Sequence, residues 1–205
     1  MKKIKLFTSV LLCASMVFPF SAYANSLTPK DENIQIEGKK IADKYNVGDK
    51  LSETDLKFIL DNGYSVESTA AKSEYSIASA DSWSIYGMKR SGDNSVEGEV
   101  GGSVTVDVGL ISVNVYGNLS ANRVRGAVTN TVAQYKFVAY GLLSTQSPYV
   151  GKVADWTQTA SGSTSASVGI SKLTYANVSV YMMYPEAVFT HAGGILNVTG
   201  TATKQ

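Results

Sequence analysis

From Ser82 onward, apolar and polar residues alternate with period two, the spacing of half-buried strands. Val104, Val106, Val108 and Leu110 share one face, after which the phase switches to Ile111, Val113 and Val115. A one-residue slip turns every side chain to the other face, so residues 109–111 are expected to hold a bulge or a tight turn. Residues 131–143 put Ala133, Tyr135, Phe137 and Ala139 on one side and Gln134, Lys136, Val138 and Tyr140 on the other, as in a strand with one dry and one wet face. Residues 174–184 are the most apolar run, with Val178, Val180 and Met182 facing one way, and Pro185 is expected to end it. Turn residues cluster at 92–95, 147–148 and 161–163, and Ala192-Gly193-Gly194 signals a hairpin. No long helical pattern interrupts these eight or nine strands, which argues against a parallel α/β sheet. The expected fold is all-β: an antiparallel β-sandwich, Ig-like or jelly-roll-like, preceded by a short N-terminal helical segment.

The helical period belongs to the earlier part of the chain. Ser52 is placed to cap a helix over 51–63, with Asp55 three residues later and Leu51 and Leu56 at the two positions of a hydrophobic staple. Leu56, Phe58, Ile59 and Leu60 supply an apolar face, and Asn62-Gly63 stops the turn. A weaker helix is expected over about 32–44, with Ile34, Ile41 and Tyr45 as contacts and Gly38 as an interruption. Residues 64–80 lack periodicity and read as a linker. The segment 25–80 therefore has two readings: a charged helical cap docked on a β domain at 81–205, or a pro-segment removed later. The capping box and staple favour the cap.

Composition sharpens this division. Residues 25–75 carry 17 charges in 51 positions, and residues 76–205 only 15 in 130. The first 24 residues form a third zone. Lys2, Lys3 and Lys5 precede an apolar run, and Ala22-Tyr23-Ala24 offers small residues for cleavage between Ala24 and Asn25. This is the pattern of a secretory signal peptide, of a bacterial kind, and it predicts an extracellular destination. Removal would leave 205 − 24 = 181 residues, no Cys (Cys13 leaves with the leader) and a net charge of (18 − 3) − 17 = −2. With no basic excess, a nucleic-acid partner is not expected.

The chemistry available is narrow. His191 is the sole histidine, so any Ser-His-Asp triad must use it, yet it stands beside a Gly-Gly turn. There is no Gly-x-Ser-x-Gly elbow, no thiol nucleophile after cleavage and no His-based or EF-hand metal spacing. Neither a cofactor nor a metal is expected, and catalysis is not. Acids of the β zone such as Glu97, Glu99 and Asp107 leave a secreted hydrolase as a third reading.

Two features suit binding. Among the aromatic residues, Trp83, Tyr149, Trp156 and Tyr184 are the candidates for an exposed contact surface, since flat rings give contact area at low entropy cost. The partner expected is a cell-wall glycan or another surface protein. The second feature is the alternation of Ser and Thr with apolar residues over 101–120 and 157–170. Across about forty residues it resembles the insertion region of aerolysin-type pore-forming proteins, on alternation and no specific motif. That resemblance implies a membrane-active alternative in which amphipathic hairpins insert after oligomerisation. The favoured expectation is a secreted, non-catalytic binding module.

Overall fold

The computed structural model describes residues 32–66, 80–109, 111–144 and 147–205. The cleavage position Ala24–Asn25 and most of the expected linker lie outside these residues. Helices α1 (Glu32–Lys44) and α2 (Glu53–Asn62) come first. The strands are β1 (Tyr64–Ser65), β2 (Ala80–Arg90), β3 (Glu97–Val108), β4 (Val113–Arg125), β5 (Asn130–Ser144), β6 (Ser147–Gly162), β7 (Ser165–Thr174), β8 (Val180–His191), β9 (Gly194–Thr199) and β10 (Thr201–Lys204). They form two antiparallel sheets, one ordered β1-β8-β5-β6 with β9 beside β8, the other β10-β2-β3-β4-β7. Inward residues of both sheets share one core, among them Trp83, Val100, Val104, Leu119, Tyr135, Phe137, Tyr181, Met183 and Phe189. The fold is thus an antiparallel sandwich preceded by a helical segment. Gly200 carries the chain from β9 in one sheet to β10 in the other, its N–H donating to the Pro185 carbonyl at 2.8 Å.

The phase switch near residue 110 marks a hairpin. Gly109 N–H donates to the Ser112 carbonyl at 2.8 Å, and Val108 pairs with Val113. Each strand then turns the valines beside the hairpin inward, Val104 and Val106 on β3 and Val113 and Val115 on β4. Two expectations about strand ends need correction. The apolar run 174–184 is split between the end of β7 and the start of β8, with Val178 buried in the connection between them. Pro185 does not end its strand but lies inside β8, opposite Tyr135. Its carbonyl points toward Gly200 and away from β5, so its missing N–H faces the gap between β1 and β9, where no ladder bond is lost.

The β8 strand is buried on both faces, which accounts for its unusual apolarity. Tyr181 and Met183 point between the sheets, while Val180, Met182 and Tyr184 point to the opposite side, where the helices cover them. The apolar stripe of the helices, Ile41, Ala42 and Ile59, closes a second core over Val138, Tyr140 and β8. Gly38 does not interrupt α1. A Cβ there would stand 2.6 Å from Met182 Cε and 2.9 Å from the Tyr184 hydroxyl, so glycine lets the helix approach the sheet closely.

The start of α2 is specified as the spacing predicts. Asp55 N–H donates to Ser52 Oγ at 3.2 Å, and Leu51 is buried. Asp55 also ties the helices together, accepting from Tyr45 Oη at 2.5 Å and Lys44 Nζ at 2.7 Å. Those hydrogen bonds, from Lys44 first and then Tyr45 and Ser52, hold its carboxyl down to about 2. A depressed carboxyl stabilises the fold above its unfolded value of 3.8, and the contribution disappears as pH falls through about 2. Asp55→Asn is therefore expected to flatten the acid limb of helix docking between these values. At neutral pH, solvent screening around Lys44 limits its effect to about 1 kcal/mol. Helix ellipticity against pH in both proteins checks this; identical acid limbs would refute it.

Candidate functional site

The four aromatic candidates have different surroundings. Trp83 is 2% exposed on the inward face of β2, donating from Nε1 to Tyr181 Oη at 3.1 Å and packing on Tyr64. Tyr184 is 1% exposed beneath α1, and burial pushes its phenol well above the ordinary range. Neither ring is available to an external partner, which corrects the expectation for both. Trp156 is half-buried on β6, stacked on Phe137 with ring centroids 5.3 Å apart, and its indole Nε1 is buried with no hydrogen-bond partner among the described residues. Tyr149 is exposed, with the Lys50 ammonium 3.8 Å from its ring centroid. The four are not brought together on one surface.

Parity along the strands identifies two exposed rings besides these four candidates. Trp83 and Ile85 turn inward, so Tyr86 turns outward; Val113 and Val115 turn inward, so Tyr116 turns outward. Both tyrosines are exposed, at 54% and 44%. They stand on the outer face of the β10-β2-β3-β4-β7 sheet among short uncharged side chains. One row across this sheet reads Thr201, Tyr86, Gly101, Ser120, Ser167; the next reads Thr203, Ser84, Ser103, Asn118, Gly169; a third contains Ser82, Thr105, Tyr116 and Ser171. The central rows form a platform of hydroxyl and amide groups, with Gly101 and Gly169 leaving shallow gaps beside the rings. The charged pairs Arg90–Glu97 and Lys204–Asp81 lie toward the strand ends.

His191 lies at the opposite side of the chemistry expected of a triad. Its Nδ1 accepts from Gly193 N–H at 3.2 Å, whereas the Asp93 carboxylate accepts from Ser91 Oγ at 2.5 Å and from Ser95 Oγ at 2.8 Å. The Ser91 hydroxyl, then the Ser95 amide and hydroxyl, hold the Asp93 carboxyl far below its ordinary range. Hydrogen bonds thus run from serine to aspartate and from glycine to histidine, not from serine to histidine. Ser91, Asp93, His191 and Gly193 line an open cleft of ≈ 490 Å³. A second cleft, ≈ 510 Å³, lies between α1 and β8–β9. Its charges are largely paired with one another, Lys39 with Glu186 at 2.7 Å and Lys89 with Glu32 at 2.8 Å. Gln35 Oε1 is buried there without a partner among the described residues. No group of three or more His, Cys, Asp and Glu among the described residues could hold a metal ion.

No family model, curated protein or solved structure matches this chain.

Proposed function

We propose that the protein is a secreted, non-catalytic binding module, and that the outer face of the β10-β2-β3-β4-β7 sheet holds a neutral cell-wall glycan. The observation that carries this reading is the platform itself: Ser, Thr and Asn side chains from five adjacent strands, free of charge at the centre, beside the exposed rings of Tyr86 and Tyr116. Hydroxyl and amide groups both donate and accept, matching the hydroxyls of a sugar, and a ring offers a flat apolar surface to its C–H face. The leader-like first 24 residues are consistent with delivery outside the cell.

Insoluble peptidoglycan, chitin and cellulose serve as probes in sedimentation binding. The wild-type chain is expected to bind at least one, and Tyr86→Ala with Tyr116→Ala to weaken that binding about tenfold or more, the scale of losing a central aromatic contact. Both rings are exposed, so the fold should be kept, as circular dichroism would verify. Absence of binding to all three, or unchanged binding by the double variant, would refute the assignment.

One observation favours a second reading, membrane activity. The β3–β4 hairpin has Val100, Val104, Val106, Val113 and Val115 on one face and, on the other, mainly Ser, Thr and Asn together with Glu99, Asp107 and Tyr116, on strands of 12 and 13 residues. That exceeds the ~9–11 residues a membrane strand requires. Insertion would, however, require the hairpin to leave both β2 and β7 and to pull its valines from the core. Dye release from liposomes, with SDS-resistant oligomers, would support this alternative; a monomer inert to lipid would dismiss it.

A further inference from the structure

The two sheets finish their edges in different ways. Toward the start of β6, residues 48–51 lie along the outer edge: Gly48 N–H donates to the Lys152 carbonyl at 2.8 Å, Lys152 N–H to the Asp49 carbonyl at 3.1 Å, and Leu51 N–H to the Val150 carbonyl at 3.3 Å. The opposite edge of that sheet is shared by β1, two residues long, and β9, six residues long, and in the second sheet β10 is four residues long with Lys204 paired to Asp81. Covered, short or charged edges are the usual protection against strand addition. The β7 strand has none of these. It pairs with β4 in unbroken register over ten residues, has no other strand beside it among the described residues, contains no Pro and carries one charge, Lys172. Its inward residues Ala166, Val168 and Ile170 are buried, while Ser165, Ser167, Gly169 and Ser171 face outward.

We infer that β7 pairs antiparallel with β7 of a second copy of this chain, about a two-fold axis through Gly169. Only an even register keeps outward residues opposite outward residues, because side chains alternate with period two. Centring on Gly169 sets Ser167 opposite Ser171 of the partner subunit and Val168 opposite Ile170 of the partner subunit. The apolar layer then continues from one sandwich to the next, and the polar face continues above it. Gly169 faces its own equivalent, with nothing within 4 Å of where its Cβ would be. Lys172 falls opposite Ala166 of the partner subunit, so no like charges meet. A second copy is selected over an unrelated strand because β7 is complementary to itself at the centre of this register: Ser167 meets Ser171, Val168 meets Ile170, and the single charge meets an alanine. Pairing joins two five-stranded sheets into one of ten strands. It does not depend on what the polar face binds, although a joined face would give a polymeric ligand two linked platforms.

The test uses exposed residues that leave the monomer's packing untouched. In sedimentation velocity the purified protein is expected to form dimers across the micromolar range. Ser167→Lys combined with Ser171→Lys sets like charges opposite each other twice across the axis and should raise the dissociation constant about tenfold or more. Ser167→Lys combined with Ser171→Glu sets opposite charges there and should restore the dimer. With Cys13→Ser as background, Gly169→Cys should form a disulfide-linked dimer under mild oxidation, and Ser165→Cys, which faces Leu173 of the partner subunit, should not. A monomer at every concentration would overturn the inference, as would indifference to both charge patterns or equal cross-linking at the two cysteine positions. Glycan sedimentation of the wild-type protein, diluted below its dimer dissociation constant, separates the two proposals, since monomer that still binds sugar would leave the platform intact.

Discussion

Lys152→Met is expected to lower stability by about 3–5 kcal/mol, the range found when one partner of a buried ion pair is removed. Lys152 is 3% exposed. Its ammonium donates to the carbonyls of Ala42 and Tyr45, each at 2.7 Å, and pairs with Asp155. Those carbonyls belong to the last turn of α1 and the residue after its end, where backbone acceptors have no partner within the helix. A lysine reaching up from the sheet satisfies them and places positive charge at the negative end of the helix dipole. Methionine retains an apolar stem of similar reach but leaves both carbonyls without this donor. Asp155 is then left with Lys136, 3.7 Å away. The urea midpoint should fall markedly, and amide exchange should accelerate first in α1, before the β2–β4 ladder. A change below about 1 kcal/mol would show that water replaces the ammonium without difficulty.

Gly117→Ala is expected to be at least as damaging, at about 4 kcal/mol or more, a size reserved for steric faults the surroundings cannot absorb. Gly117 has φ +149°, and a Cβ on it would stand 2.1 Å from the Ser103 carbonyl oxygen and 2.9 Å from Val104 Cα. Both are backbone atoms of β3, fixed by ladders on either side. Relief would require β3 and β4 to separate at the centre of the sheet. Gly169→Ala is the matched control on the neighbouring strand, with open space around its Cβ, and should stay within about 1 kcal/mol of wild type. Thermal denaturation of both proteins checks the contrast; equal melting temperatures would remove the steric explanation.

Much of the architecture was legible because strand periodicity is local. The valines over 104–108 and 113–115 turn inward as the alternation predicts, and Ser52 caps α2 as the spacing predicts. The same parity separates Tyr86 and Tyr116, which face outward, from Trp83, which faces inward. Trp83 is in the core because the large apolar surface of tryptophan favours burial. Other features were not readable along the chain. Tyr184 has the parity of a solvent-facing ring, since Tyr181 and Met183 take the inward side, and only the docking of α1 from far earlier in the sequence buries it. Gly38 looks like a helix breaker until Met182 and Tyr184 are found against it. Pro185 looks like a strand terminator until the gap between β1 and β9 appears on its far side.

By itself, the sequence determined which residues alternate, where the chain turns, how α2 begins and that charge concentrates ahead of the sheets. These follow from backbone geometry and side-chain solvation over a few residues. Only the tertiary structure decided that, among the described residues, one sheet is covered on both faces and the other on one, leaving a polar platform that is uncharged at its centre. It also decided that, among the described residues, the β6 edge is partly covered and the β7 edge is not. The reason is physical: burial and edge pairing depend on segments distant in sequence meeting in space, and their energy is absent until they meet.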